Sequence, residues 1–125
     1  MNLVDSCGWL EYFADGPNAD FYAAAIEDTS NLIVPTICLL EVFKRVLQQR
    51  GENAAIQGVA VMHQGLIVPL DAEIALKAAK IGSEFKLPLA DSVILATART
   101  YRSVLLTQDV DFKGIEGVRY TERKA

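Results

Sequence analysis

The sequence predicts an α/β domain in which helices cover both faces of a parallel sheet, an α/β/α sandwich. Three observations lead there. Short apolar runs recur along the chain: Asn2-Leu3-Val4, Leu32-Ile33-Val34, Leu66-Ile67-Val68 and Val104-Leu105-Leu106. They are strand-length, and near-continuous apolar character is what burial on both faces requires. Longer stretches between them carry apolar residues at helical spacing. The chain has 125 residues, 51% of them apolar, the size and core material of one domain over residues 1–125.

Taken in order, residues 2–5 read as a short buried strand. Ser6 follows as a helix cap, with Trp9, Leu10 and Phe13 on one helical face. Gly16-Pro17-Asn18 breaks that helix, and residues 19–27 form the next. Leu32-Ile33-Val34 is the second strand, closed by Pro35, and Thr36 caps a long helix to about Arg50. Arg50 in the last turn and Gly51 just beyond make a conventional helix ending. Residues 52–64 are a further helix after a short hinge at Gly51. Leu66-Ile67-Val68 is the third strand, and Asp71 to about Phe85 is helical. Pro88 starts a helix that runs to about Tyr101. The fourth strand is Val104-Leu105-Leu106, and Gly117-Val118-Arg119-Tyr120 is a short fifth.

Composition narrows the function classes. No run is long and apolar enough to span a bilayer, and no signal peptide is expected, which makes the expected location cytoplasmic. Cys7 and Cys38 lack metal or redox spacing and read as reduced, buried thiols. His63 stands alone, so a zinc site of the usual kind is not expected, nor is metal-free chemistry by a histidine pair. A net charge of −4 argues against a nucleic-acid partner, unless several of the acids bind a cation that inverts the local field.

Four acids carry most of the information. Asp5 ends the first strand and Asp109 follows the fourth. Glu41 lies early in the helix from Thr36, and Asp91 lies in the first turn of the helix from Pro88. Sites in open α/β sheets lie outside the carboxyl ends of strands, where strand order reverses. If the first and fourth strands are neighbours, the order is 3-2-1-4-5 and the four carboxylates converge there. Gathered carboxylates repel and need a cation, and oxygen ligands suit Mg2+ or Mn2+. Each acid also has an ordinary reading. The helix dipole favours Asp91, an ion pair with Lys44 or Arg45 accounts for Glu41, and turn formation accounts for Asp109 and Asp111. Asp5 is hardest to explain that way, because an acid ending a buried strand must be paired or bound.

Four segments resemble the PIN domain family. They are Asn2-Leu3-Val4-Asp5-Ser6 with Trp9, Pro35-Thr36-Ile37-Cys38-Leu39-Leu40-Glu41-Val42, Leu87-Pro88-Leu89-Ala90-Asp91-Ser92-Val93-Ile94-Leu95-Ala96-Thr97-Ala98 and Leu105-Leu106-Thr107-Gln108-Asp109-Val110-Asp111-Phe112. The chain is most similar to the VapC-like toxins of prokaryotic toxin–antitoxin pairs. The resemblance implies a magnesium-dependent ribonuclease, with Mn2+ able to substitute. Asp5, Glu41, Asp91 and Asp109 become its catalytic and metal-binding acids, and Asp111 an alternative or auxiliary ligand. Thr107 matches a small hydroxyl residue near the site, and Ser6 a hydroxyl that helps orient the first acid. The implied products carry 5′-phosphate and 3′-hydroxyl ends, with a metal-activated water as nucleophile. Lys44, Arg45 and Lys86 are candidate phosphate contacts.

Two other readings stand beside this one. A receiver-like phosphoacceptor domain has a similar length and an acidic magnesium pocket. It needs an acid pair after the first strand, whereas Asp5 is followed by Ser6 and Cys7. The other is a PIN-fold binding module without activity. The expected partners are an RNA substrate, a VapB-like antitoxin and a second copy in a homodimer. The helices at 36–50 and 52–64 are expected to clip around an apolar groove lined by Val46, Leu47, Ile56, Val59 and Met62.

Overall fold

The computed structural model describes residues 1–124. Its chain order is β1 (Asn2–Val4), α1 (Ser6–Phe13), α2 (Ala19–Glu27), β2 (Leu32–Pro35), α3 (Thr36–Arg50), α4 (Glu52–Met62), β3 (Leu66–Val68), α5 (Ala72–Phe85), α6 (Leu89–Thr100), β4 (Val104–Thr107) and β5 (Val118–Tyr120). Two single 3-10 turns, Thr29–Asn31 and Val110–Phe112, complete it.

The strands form one parallel sheet in the order β3-β2-β1-β4-β5. This is the predicted order, and it excludes the receiver-like alternative, whose doubly wound sheet runs 2-1-3-4-5. Successive side chains of a strand point to opposite faces. Leu3, Val4, Leu32, Ile33, Val34, Leu105 and Leu106 are all buried, so both faces of the three central strands are covered. Each parallel step needs a helical crossover, and the alternating apolar runs and amphipathic stretches of the sequence supply it.

Two glycines matter to this packing. Gly8 lets α1 lie against α2 and β1, since a Cβ there would fall 2.5 Å from the Tyr22 ring and 2.7 Å from Val4. Gly51 has φ of 87°, a value that favours glycine, and its turn separates α3 from α4.

Three expected caps differ in detail. Asp5 rather than Ser6 caps α1, because its Oδ1 accepts the Ser6 N–H at 2.7 Å. Thr36 is the first residue inside α3, with Pro35 at the cap position, and its hydroxyl instead accepts the Leu70 N–H at 3.3 Å. Pro88 occupies the cap position of α6 rather than its first turn. At all three the serine, threonine or proline signal falls one residue from its expected role. The extended backbone of Asp5, Pro35 and Pro88, with ψ of 156°, 144° and 157°, sets these boundaries. Asp71, by contrast, caps α5 through the Ile74 N–H at 2.9 Å.

The apolar groove lies elsewhere than expected. A cleft of about 290 Å³ is lined by residues of α1, α3 and α4, among them Leu10, Phe13, Val46, Ala54 and Val61. Of the five expected residues only Val46 lines it. Met62 is fully buried in the core, and Leu47 and Ile56 face solvent. The helical phase of α4 turns Ala54, Gly58 and Val61 toward α1, with the Gly58 Cα facing the Phe13 ring.

Candidate active site at the carboxyl end of the sheet

The register of the central strands builds the site. β1 pairs β4 with Val4 opposite Leu106, and the Asp5 N–H extends that ladder to the Leu106 carbonyl at 3.0 Å. Asp5 and Thr107 therefore leave adjacent strands side by side. The Thr107 hydroxyl donates to Asp5 Oδ2 at 2.7 Å and accepts the Asp109 N–H at 2.9 Å. One threonine thus joins the acid after β1 to the acid after β4.

Asp5 is only 4% exposed. Burial pushes its carboxyl up to about 6, against the opposing hydrogen bonds from Thr107, Ser6 and Cys7, and Asp109 adds repulsion. The Cys7 thiol lies 3.5 Å from Asp5 Oδ2 and is pushed up to about 12 by burial and by Asp5, so it stays a neutral thiol. Cys38 is fully buried and its thiol is raised well above the ordinary value, first by burial. Cys38 is buried as expected, whereas Cys7 is half-buried and its Sγ also lies 3.6 Å from Thr107 Oγ1.

Asp91 stands in the first turn of α6. One carboxylate oxygen each from Asp91, Asp109 and Asp111 lies within 4.8 Å of the others. Asp109 Oδ1 also accepts the Asp111 N–H at 3.0 Å, so the short turn after β4 folds its two acids toward the same point. Asp91 is raised to about 8, first by desolvation and then by repulsion from Asp109 and Asp5, with Asp111 adding less. Among the described residues the one salt bridge is Lys77–Glu73, remote on α5, so no lysine or arginine neutralises this cluster.

Glu41 stands apart from the triad. The Ser6 hydroxyl donates to its Oε1 at 2.7 Å. The Ser6 hydroxyl thus ties α1 to the acid of α3, while its backbone N–H holds Asp5 Oδ1. No ion pair joins Glu41 to Lys44 or Arg45, whose side chains are exposed. Lys86 ends α5 in a left-handed conformation, with φ of 55°. His63 is exposed at the end of α4, with Nδ1 2.9 Å from the Val59 carbonyl. Of the expected acids, then, the structure gathers Asp91, Asp109 and Asp111 to one point, sets Asp5 beside them through Thr107, and links Glu41 to the Asp5 neighbour Ser6.

Behind the site is a polar network that the sequence reading missed. Asn18 and Gln108 are each 3% exposed. Asn18 Nδ2 donates to Gln108 Oε1 at 2.9 Å and to the Glu122 carbonyl at 3.0 Å. Glu11 accepts the Asn18 N–H at 2.7 Å and the Gln108 amide at 3.5 Å. Its only sequence signal is the placement of Gln108 between two site residues. Asn18 reads as a helix breaker with no long-range partner.

Comparison with known proteins agrees with this architecture. A toxin–antitoxin complex from Klebsiella pneumoniae contains a chain 26% identical, covering 95% of this chain and 96% of its own, with a TM-score of 0.81. FitAcB from Neisseria gonorrhoeae shares 22% identity over 96% of each chain, with a TM-score of 0.74. A sarcin–ricin-loop-cleaving VapC toxin from Mycobacterium tuberculosis shares 14% identity over 93% of this chain and 95% of its own, with a TM-score of 0.75. No curated protein sequence matches the chain. The PIN domain family model matches residues 3–118, from β1 into β5, and spans the whole acidic site; the chain belongs to the PIN domain family.

Proposed function

We propose that this chain is a metal-dependent endoribonuclease and the toxin of a toxin–antitoxin pair. The observation that carries the catalytic reading is the unneutralised triad of Asp91, Asp109 and Asp111, with buried Asp5 beside it. Its donor set fits a hard divalent cation: all donors are carboxylate oxygens from two separate elements, and none is a thiolate or imidazole. Asp91, Asp109 and Asp111 would hold Mg2+ or Mn2+, with Asp5 and Glu41 as the remaining acids of the site. When bound, such a cation supplies charge neutralisation at the phosphate and acidifies a water.

The chain's own groups do the rest. Asp91, whose carboxyl is raised to about 8, would bind the cation in its deprotonated form and would fix the α6 side of the site. Thr107 keeps Asp5 and Asp109 in one relative orientation through its two hydrogen bonds. An acid not committed to the cation would take a proton from water, and Glu41, held by Ser6 and outside the triad, is a candidate. The half-exposed rim at Asp109, Asp111 and Val110 leaves the triad open to a chain substrate.

RNA as substrate, a protein antitoxin as partner and a homodimer as assembly are part of the same reading. The Klebsiella relative, a chain of a toxin–antitoxin complex, supports the partner, and the Mycobacterium relative, which cleaves the sarcin–ricin loop, supports RNA. Exposed Leu40, Leu66, Leu70, Leu76 and Leu89 provide apolar surface for association. No helix of the described residues is long and apolar enough to cross a membrane.

The test is cleavage of a mixed RNA pool by purified protein with Mg2+ or Mn2+, and with EDTA. Cleavage that survives EDTA sinks the metal mechanism. A protein that binds Mn2+ but never cleaves RNA favours the inactive binding module. Co-expression with the adjacent reading frames tests the partner, and light scattering tests the dimer.

A further inference from the structure

We infer that Asn18 and Gln108 are positioning residues, whose buried amide pair aims Thr107 and Asp109 into the acidic site and anchors the segment after β5 to it. The inference rests on the metal-site reading above. Gln108 sits between the threonine that holds Asp5 and an acid of the triad. Along extended backbone successive side chains point to opposite sides, and Asp109 is extended, with φ of −81° and ψ of 119°. Gln108 turns its side chain into the amide network while Thr107 and Asp109 on either side of it join the acidic site, so fixing Gln108 restrains both neighbours.

The pin is built from groups that have no cheaper use. Both amides are 3% exposed, and a buried amide without partners is costly. Asn18 Nδ2 spends both hydrogens, one on Gln108 and one on the Glu122 carbonyl. Glu11, on the helix capped by Asp5, takes the Asn18 N–H and faces the Gln108 amide. The Thr121 N–H reaches the Thr107 carbonyl at 3.0 Å, so the C-terminal segment grips the same three residues from the strand side. The network thus fastens three separate segments, at Glu11, Asn18 and Thr121-Glu122, around Thr107-Gln108-Asp109. Apolar side chains would fill the space equally well. Buried polar partners add direction, and direction is what the adjacent Thr107 and Asp109 need.

The experiment measures Mn2+ affinity of the purified full chain by electron paramagnetic resonance, with RNA-cleavage kinetics and urea unfolding alongside. Asn18→Ala and Gln108→Met are expected to weaken Mn2+ binding several-fold, up to the roughly tenfold lower end of what loss of a direct outer partner of a metal ligand costs. The kcat should fall with it while KM for RNA holds. Ile26→Val, a core truncation on α2, should lower the urea midpoint and leave Mn2+ affinity unchanged. If Asn18→Ala lowers the urea midpoint and binds Mn2+ like the wild type, the positioning role is wrong. Should both amide variants fail to fold, Glu11→Gln keeps the shape and turns one of the two oxygens that accept from Asn18 and Gln108 into an amide NH2 that cannot accept. A several-fold loss of Mn2+ affinity there supports the inference, and an unchanged affinity overturns it. Wild-type protein that binds Mn2+ but cleaves no RNA defeats the ribonuclease reading alone. Wild-type protein that binds no Mn2+ defeats both.

Discussion

The acids at the carboxyl end of the sheet fall into two groups built on opposite terms. Asp5 and Glu41 are satisfied. Asp5 takes hydrogen bonds from Ser6, Thr107 and Cys7, and Glu41 takes one from Ser6. Asp91, Asp109 and Asp111 are crowded. Their oxygens share a 4.8 Å space and the one hydrogen bond resolved among them is the Asp111 N–H to Asp109. The satisfied group spends its lone pairs on holding three elements together. The crowded group keeps its lone pairs free at the cost of mutual repulsion. A protein that needed only stability would not leave three carboxylates so placed, and that difference separates a scaffold from a site.

The sharpest way to break the comparison is to neutralise one member of each group. Asp91→Asn removes a crowded ligand and should lower kcat by at least about 100-fold, the scale on which a lost electrostatic partner acts. It should leave the metal-free fold as stable as before below about pH 8, where Asp91 keeps its proton, and raise the urea midpoint above it, where it relieves repulsion. Asp5→Asn should abolish cleavage equally but behave differently in stability. An Asn amide turned toward Thr107 would compete with the proton that Thr107 now gives Asp5, so the midpoint should fall or stay level. Equal stability changes in the two variants would erase the proposed distinction.

Acidity gives the next test. Asp5 and Asp91 are raised from 3.8 to about 6 and about 8. In the folded, metal-free chain they keep protons that the unfolded chain releases once pH passes about 4. Stability should therefore fall as pH rises from about 4 to about 8 and level off above that. Mg2+ competes with the proton of Asp91. Its stabilising effect should be small at pH 5 and large at pH 8. Thermal unfolding at both values, with Mg2+ and with EDTA, measures it. A Mg2+ effect of the same size at both pH values would mean that the cation does not bind at Asp91.

How much of this was legible in the sequence follows from the same division. The sheet order was legible because two acids following apolar runs make sense only if β1 and β4 are neighbours. Asp5, Asp91 and Asp109 were legible because each sits at a strand end or in a first helical turn. Ser6 meets Asp5 through its N–H, and that its hydroxyl reaches Glu41 was not legible, because a first-turn side chain aims toward whichever element packs over it, and sequence spacing does not give that element. Helical phase explains the groove error as well. An apolar residue in α4 belongs to the core, the cleft or the solvent according to a rotation that residues such as Met62 and Val61 do not reveal alone. Asn18 and Gln108 were invisible because their contact spans ninety residues and uses two uncharged amides.

The finest test concerns Asp109 and Asp111. The sequence reading ranked Asp109 as the fourth acid and Asp111 as auxiliary, and the structure brings both within reach of Asp91. Their surroundings still differ. Asp109 is half-buried, its N–H is held by Thr107 and its Oδ1 caps the following turn. Asp111 is exposed, so its charge is screened by water and its side chain is freer to move. Asp109→Asn should therefore cost about tenfold or more in Mn2+ affinity, and Asp111→Asn a few-fold. Titrating Mn2+ into both variants decides the ranking. If Asp111→Asn loses metal and Asp109→Asn does not, Asp109 belongs with Asp5 and Glu41 in the scaffold. The site would then open onto solvent through Asp111, and the boundary between the two groups of acids would run through the turn after β4.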